Sequence, residues 1–337
     1  MIPKLLRKTG LSLLAIVLVL LLLEGAFRLF RATRHVTPER TEVQLDDTFG
    51  WVHNLHFKGR TRQNACGEDA VRLPYRHALI NRFPTHPSGR RILFLGDSYT
   101  KPFLVSSGEG YYDVFERETG TNFAVYAIGH TGYGNVQEAL AFEATVNDIQ
   151  PEIVVWQLTG NDVRDNVFAF DNNSFINGQQ KPRPYYELKR GRIQTRDPGF
   201  WLFDHSLVFR YLFRRLWALD NAKRWGLMRR IDRLNDFPDA RVAALEQDGV
   251  EVLGRLLGRL IANHPDVEFY GFAVDQPFDE AFEAVFEQHG AGYFPRFYQA
   301  VHTAGDTDCA PRDLHWNHHG HDVAGRRLVE LLHSNPR

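Results

Sequence analysis

Four short apolar segments constrain the fold of this chain more than any other feature of its sequence. They are rich in β-branched and aromatic residues and lack the polar alternation of a half-exposed strand, as strands buried on both faces of a parallel sheet do. These segments are RILFLG (91–96), NFAVYAIG (122–129), EIVVWQLTG (152–160) and VEFYGFAV (267–274). Helical segments are predicted between and after them, at about 134–147, 242–263 and 318–333. The pattern predicts a three-layer α/β fold with a parallel sheet between two layers of helices.

The chain has 337 residues, enough for one large domain with attached segments. The α/β pattern covers residues 91–335, and residues 34–90 before it form an irregular lead-in segment. An insertion at about 165–240, rich in aromatic residues and arginine, separates the third and fourth predicted strands. The 40 basic and 41 acidic side chains nearly balance, so the chain has no overall charge that would attract nucleic acid. We therefore expect no nucleic-acid partner.

The first 33 residues differ in composition from the rest of the chain. A basic segment, KLLRK (4–8), precedes an uncharged leucine-rich run, and the apolar stretch reaches about 20 residues, the length that crosses a bilayer. Because no small-residue cleavage site follows, we predict an uncleaved signal anchor, a single transmembrane helix, rather than a cleaved signal peptide. We expect the domain on the extracytoplasmic side of that membrane. There, Cys66 and Cys309 are either a disulfide or two unpaired thiols.

Polar residues and glycines follow three of the predicted strands at the point where each strand ends. They are GDS (96–98), GHTGYGN (129–135) and GND (160–162), and a fourth polar segment, DLHWNHHGH (313–321), opens the last predicted helix. The carboxyl ends of neighbouring parallel strands meet at one crevice. We therefore expect these segments to lie close together in the fold.

The residues in these segments are those that acyl transfer requires. Ser98 is the predicted nucleophile, and it needs a base to take its proton. His315 is the predicted base, and Asp313 would orient its ring and stabilise the imidazolium. The amides of Ser98 and Gly132 and the side-chain amide of Asn161 are the predicted oxyanion hole.

Each of these segments alone has a simpler explanation, since GDS and GND are common turn sequences. Four histidines crowd residues 315–321, but a helix start with an N-cap at Asn317 explains them better than a zinc site, so no metal is expected. No Gly-x-Ser-x-Gly surrounds Ser98, and no phosphate-binding P-loop occurs. What favours a catalytic site is that every segment follows a strand and the Asp-His pair comes last.

Over residues 91–335 the chain resembles the SGNH, or GDSL-like, hydrolases. The similar motifs are FLGDSYT, GYGNVQEAL, TGNDVRDN and DLHWNHHGH. The family is named after a serine, a glycine, an asparagine and a histidine, and the resemblance assigns these to Ser98, Gly132, Asn161 and His315. It implies a flavodoxin-like sheet and acyl-ester hydrolysis with no metal or cofactor. Two departures are a tyrosine in place of leucine after GDS and an Asp-x-His spacing in place of Asp-x-x-His.

The expected function is therefore serine-dependent hydrolysis of ester-linked acyl groups, with acetyl as the expected group, through an acyl-serine intermediate. The substrate is an acylated small molecule, lipid or glycan. Two alternatives stay open. The Asp-x-His-Trp spacing and the N-terminal anchor are similar to exported polysaccharide O-acetylation proteins, which transfer the acyl group to a glycan. A non-catalytic glycan-binding module is the second alternative.

Overall fold

The computed structural model describes residues 4–33, 38–173, 182–196, 205–223, 226–230, 233–310 and 313–334. Its strands are β1 (Val43–Asp46), β2 (Gly50–His53), β3 (Arg60–Gln63), β4 (Asp69–Arg72), β5 (Ile80–Arg82), β6 (Arg90–Gly96), β7 (Phe123–Gly129), β8 (Ile153–Leu158), β9 (Arg183–Glu187), β10 (Arg192–Arg196), β11 (Glu268–Ala273), β12 (Gly292–Tyr293), β13 (Asp308–Cys309) and β14 (Asp313–Trp316). Its helices are α1 (Lys4–Thr33), α2 (Tyr111–Thr119), α3 (Asn135–Ile149), α4 (Gly160–Asp165), α5 (Phe168–Asp171), α6 (Leu207–Lys223), α7 (Leu227–Arg230), α8 (Asp239–Asn263), α9 (Asp279–Gln288), α10 (Phe297–His302) and α11 (His318–Ser334).

A six-stranded sheet with the order β12-β11-β8-β6-β7-β5 forms the centre of the fold. The four predicted strands are confirmed as β6, β7, β8 and β11, which run parallel to one another. The prediction of a wholly parallel sheet is wrong, because β5 pairs antiparallel with β7, with Ile80 opposite Ile128. A strand at the edge of a sheet can join in this direction without a crossover helix.

Helices cover both faces of this sheet, as the three-layer prediction requires. On one face, Leu93 and Leu95 of β6 pack with side chains of α3 and α8. On the other face, Ile92 and Phe94 pack with α2 and α11. Successive side chains of a strand point to opposite faces, so β6 must be apolar throughout to fill both cores. This confirms the interpretation of its uninterrupted apolar sequence.

The lead-in segment is not irregular over its described part, residues 38–90. It forms the hairpins β1–β2 and β3–β4, and it supplies β5 to the central sheet. Its strands are only three or four residues long. Strands this short and partly polar produce no clear period in the sequence, which is why the pattern did not predict them.

The N-terminal segment forms the long helix α1, which contacts the insertion. Glu24 accepts hydrogen bonds from the Ser206 hydroxyl and the Val208 amide at the start of α6, and the ring of Phe27 lies 5.2 Å from that of Tyr211. A carboxylate at a helix N-terminus satisfies amides that have no partner within the helix. Within the described part of the chain, no helix combines the length and hydropathy that crossing a bilayer demands. The predicted transmembrane anchor therefore has no support from the structure.

Cys66 and Cys309 form a disulfide across 243 residues of sequence. Cys66 lies in the turn between β3 and β4, and Cys309 lies in β13, opposite Asp313 of β14. The bond thus joins the lead-in segment to the segment that carries the predicted catalytic Asp313. Of the two alternatives that the sequence left open, the structure has the disulfide.

We predict that replacing both cysteines by serine lowers the free energy of unfolding by about 2–4 kcal/mol, because the cross-link restricts the unfolded chain. Thermal denaturation under oxidising conditions measures this as a loss of several degrees in Tm. The control is wild-type protein treated with a reductant, which should denature at the temperature of the double variant. Equal Tm values for the oxidised wild type and the variant would contradict the prediction.

Candidate active site

Ser98 lies in a tight turn directly after the central strand β6. The Lys101 amide donates to the Asp97 carbonyl at 2.8 Å and closes the turn. A Cβ on Gly96 would lie 2.4 Å from Oε1 of Gln157, and one on Gly129 would lie 2.4 Å from the backbone of Thr100. Both positions require glycine because the ends of β7 and β8 pack directly against the turn. Steric crowding therefore explains why the GDS segment begins with glycine.

The structure brings Ser98, His315 and Asp313 together in one hydrogen-bonded chain. Ser98 Oγ lies 2.8 Å from His315 Nε2, and His315 Nδ1 lies 2.6 Å from Asp313 Oδ1. A carboxylate only accepts, so Nδ1 carries the proton of a neutral ring and Nε2 accepts from the serine hydroxyl. This is the tautomer that a general base needs.

Asp313 stays ionised in this arrangement. Burial raises its pKa, but hydrogen bonds from the His315 side chain and backbone outweigh burial and lower the pKa below its ordinary value. The backbone amide of His315 donates to the same oxygen as the ring, at 3.0 Å. A carboxylate held this way orients the ring and stabilises its positive charge.

Aromatic side chains that the sequence reasoning did not assign hold His315 in place. The rings of Tyr99 and Phe103 lie 4.7 and 4.6 Å from the imidazole, and the Tyr99 hydroxyl donates to the Leu314 carbonyl at 3.0 Å. In the sequence, Tyr99 stands out only because it replaces a leucine. An aromatic residue next to the nucleophile is the one sequence signal for this contact, but Leu314, which the Tyr99 hydroxyl contacts, lies 215 positions away in sequence.

The predicted oxyanion donors Gly132 and Asn161 follow β7 and β8, the two strands that flank β6. The Gly132 carbonyl accepts from the Arg183 guanidinium at 2.6 Å, and Asn161 Nδ2 donates to Asp165 Oδ2 at 3.2 Å. Neither residue has a hydrogen bond to Ser98 among the contacts of the described residues. Their placement after the strands on either side of β6 agrees with the prediction that these segments follow strand ends, and their role as oxyanion donors stays a prediction.

Three of the four histidines in residues 315–321, namely His315, His319 and His321, have separate partners. His321 is buried and accepts the Tyr111 amide at Nδ1, 3.3 Å away, and His319 Nε2 lies 3.2 Å from the Ala304 carbonyl. Over the described ranges, no group of three or more histidine, cysteine or acidic side chains is arranged to hold a metal ion. These contacts fit the interpretation that the cluster belongs to the start of α11.

No family model matches this chain, and no curated protein matches it. Among solved structures, it is similar to a lipase/acylhydrolase from Enterococcus faecalis, with 12% identity over 74% of this chain and 98% of that one and a TM-score of 0.41. It is also similar to a carbohydrate acetylesterase family member from Sinorhizobium meliloti, with 11% identity over 73% of this chain and 98% of that one and a TM-score of 0.42. A third similar structure is a psychrotrophic esterase from Pseudoalteromonas sp., with 11% identity over 73% of this chain and 97% of that one and a TM-score of 0.41. Similarities of this size carry no argument, so the function is inferred from this chain's own side chains.

A cluster of buried carboxyl groups lies among the strand-end segments. Asn135 Nδ2 donates to Glu138 Oε2 at 3.0 Å and to Asp162 Oδ2 at 3.3 Å, and the Trp156 indole donates to Glu138 at 2.7 Å. Burial, together with the negative charge of Asp97, raises the pKa of Glu138 to about 8. Burial also raises the pKa of Asp162 well above its ordinary value. At neutral pH the cluster therefore keeps protons that an unfolded chain would release.

Glu138→Gln should remove part of the pH dependence of stability. Glu138 ionises at about 4.5 when unfolded and about 8 when folded, so unfolding releases its proton between these values and stability falls as pH rises through that window. The slope from one group is at most about 1.4 kcal/mol per pH unit. Glutamine cannot ionise, so the Tm of the variant should fall less than that of wild type between pH 5 and pH 8. The exposed Glu287→Gln serves as control, and parallel Tm curves for Glu138→Gln and wild type would contradict the assignment.

Proposed function

We propose that this chain is a serine hydrolase of the SGNH type that cleaves ester-linked acyl groups, with acetyl as the expected group. The observation that carries the proposal is the hydrogen-bonded chain from Ser98 through His315 to Asp313. Ser98 lies in the turn directly after β6, a central strand of a mostly parallel sheet, at the crevice where α/β proteins bind their ligands. The substrate is an acylated small molecule, lipid or glycan.

In the proposed mechanism, Ser98 Oγ attacks the ester carbonyl while His315 Nε2 takes the hydroxyl proton. The tetrahedral oxyanion collapses, the C–O bond to the alcohol breaks, and His315 returns the proton to the leaving alcohol. A water then attacks the acyl-Ser98 ester with His315 again as base. The bond between the acyl carbon and Ser98 Oγ breaks, His315 returns the proton to Oγ, and the carboxylic acid leaves. The Ser98 amide, Gly132 and Asn161 are proposed to stabilise both oxyanions. Asp313 keeps the ring in the required tautomer throughout.

We also propose that the domain works outside the cytoplasm. The Cys66–Cys309 disulfide supports this location, since disulfides persist in oxidising compartments and are rare in the cytosol. Attachment to a membrane through α1 has no such support. The proposed location therefore rests on the disulfide alone.

Ser98→Ala should lower turnover of a short-chain nitrophenyl ester by at least about a thousandfold, because no other group replaces the nucleophile. Circular dichroism checks that the variant is folded. The matched control is Ser334→Ala at the exposed end of α11, whose hydroxyl bonds only to carbonyls of its own helix. Unchanged turnover in folded Ser98→Ala would remove Ser98 from the mechanism.

The same preparation separates hydrolysis from transfer. An acetyl donor is supplied with candidate glycans and the acetyl group is followed by mass spectrometry. Hydrolysis predicts free acetate at the same rate with and without glycan and no acetylated sugar. Acetylated sugar that disappears in Ser98→Ala would instead establish the transferase alternative.

Asn161→Ala tests the proposed oxyanion hole. Loss of one oxyanion donor costs about 3 kcal/mol in the transition state, so kcat should fall about a hundredfold with little change in KM. Asn122→Ala, an exposed asparagine before β7, is the control. If Asn161→Ala is folded and retains wild-type kcat, Asn161 is not a donor to the oxyanion.

A further inference from the structure

The hairpin β3–β4 carries three arginines on one face. Arg60 lies directly opposite Arg72, and Arg62 lies opposite the small, buried Ala70. Residues paired this way, and residues two apart in a strand, share one face of the hairpin. Like charges placed directly opposite each other destabilise a hairpin. The arrangement therefore works against folding and needs another explanation.

This arginine face borders a cavity beside the proposed catalytic residues. The cavity has a volume of about 210 Å³, and its lining includes all three arginines together with Glu42, Phe103 and Asp313. Asp313 is the orienting carboxylate of the proposed triad, and the ring of Phe103 lies 4.6 Å from that of His315. We call this cavity the arginine pocket. It is smaller than the cavities of about 300–1,000 Å³ that hold whole drug-sized ligands, which suits one polar group of a larger substrate.

Arg72 is buried in the wall of the arginine pocket, and one of its donor atoms is unsatisfied. The residue is only 7% exposed, and its Nη2 atom has no hydrogen-bond partner among the described residues. Burial lowers the pKa of its guanidinium, and the negative charge of Glu42 only partly opposes this effect. A buried charge with an unsatisfied donor is costly, and folded proteins rarely keep one without a function.

The acidic groups nearby do not fully neutralise the three arginines. Glu42 is shared: it forms ion pairs with Arg60 and with Lys101, it accepts the Tyr75 hydroxyl, and its charge also acts on Arg72. Asp313 is already bound to His315. The lining of the pocket therefore holds three arginines and two carboxylates, which leaves one excess positive charge.

The chain holds the arginine hairpin rigidly against the segment that follows the nucleophile. The Ser107 amide donates to the Val71 carbonyl at 2.8 Å, and Asn64 Nδ2 donates to the Leu104 carbonyl at 2.6 Å. The disulfide ties the hairpin turn to β13. A charged pocket fixed relative to the reacting groups can position a substrate, because the geometry is set before binding.

We propose that the arginine pocket binds an anionic group, a carboxylate or a phosphate, on the substrate whose ester is cleaved at Ser98. Guanidinium groups bind both anions through paired, charge-assisted hydrogen bonds. The inference rests on the proposed function, which it deepens by naming the class of substrate: acyl esters of sugar acids or of phosphate-bearing molecules. Arg62 and Arg72 are the specificity-determining residues, and Glu42 keeps Arg60 and Lys101 in place.

A binding experiment tests the pocket independently of turnover. Isothermal titration calorimetry on the Ser98→Ala protein uses methyl glucuronoside, inorganic phosphate and the neutral methyl glucoside as probes. We expect at least one of the two anions to bind and the glucoside not to bind, with affinity that falls as salt rises. The stronger anion identifies the group as carboxylate or phosphate. Binding of neither anion, or equal binding of glucoside and glucuronoside, would overturn the proposal.

Two variants assign the binding to the arginine pocket. In the same background, Arg62→Gln and Arg72→Met should each weaken anion binding about tenfold or more, while the exposed Arg255→Gln on α8 should leave it unchanged. Removing a buried charge with an unsatisfied donor should not lower the Tm of Arg72→Met, whereas a structural arginine would lower it. If Arg72→Met does not fold, Arg62→Gln decides alone. Wild-type affinity in Arg62→Gln would place the anion elsewhere.

A turnover experiment separates failure of this inference from failure of the proposed function. The substrates are O-acetyl methyl glucuronoside and its uncharged form, in which the carboxyl group is a methyl ester, with the corresponding acetylated sugar phosphate as a third. The inference predicts at least about a tenfold higher kcat/KM for an anionic ester, a ratio that falls in Arg62→Gln and persists in Arg255→Gln. Equal kcat/KM for all esters, lost in Ser98→Ala, would overturn the anion inference and retain the esterase. Turnover that survives Ser98→Ala would overturn the proposed function.

Discussion

The hydrogen bond between Ser98 and His315 joins two segments that lie 217 residues apart in sequence. Neither segment can hold its side chain alone, because one is a short turn and the other is a strand of four residues. Ser98 is placed by a turn packed between the ends of β7 and β8. His315 is placed by β14, by the rings of Tyr99 and Phe103, and by a disulfide one strand away. Most of the elements around the crevice contribute to holding these two atoms 2.8 Å apart.

Buried ionisable groups are concentrated around this crevice. Carboxyl groups of Glu138 and Asp162 share one asparagine below the strand ends, while Arg72 has an unsatisfied Nη2 atom in the wall of the cavity that Asp313 also lines. Such groups cost stability, and a large double core on both faces of the sheet can offset them. The acidic cluster is explained by the hydrogen bonds that tie α3 and α4 together. The unsatisfied donor of Arg72 has no such structural explanation, which is why it points to a ligand.

The parts of the fold that the sequence predicted depend on residues close together in the chain, whereas the parts that it did not predict depend on residues far apart. The strands β6, β7, β8 and β11 were predicted because burial on both faces demands a continuous apolar sequence. The lead-in segment was predicted as irregular and instead forms hairpins, since strands of three or four residues have no detectable period. The arginine face of the hairpin β3–β4 could not be predicted either, because Arg60 and Arg72 become neighbours only through strand pairing.

The sequence by itself determined the order of strands and helices and the identity of the residues at the strand ends, because both depend on local composition and on side chains a few positions apart. It also determined that Ser98, Asp313 and His315 are present in a plausible order. Only the tertiary structure decided that the three side chains form one hydrogen-bonded chain, that Cys66 joins Cys309, and that three arginines line one cavity with Asp313. These contacts join residues that are far apart in the chain, and only the packing of the sheet, helices and hairpins sets the distances between them.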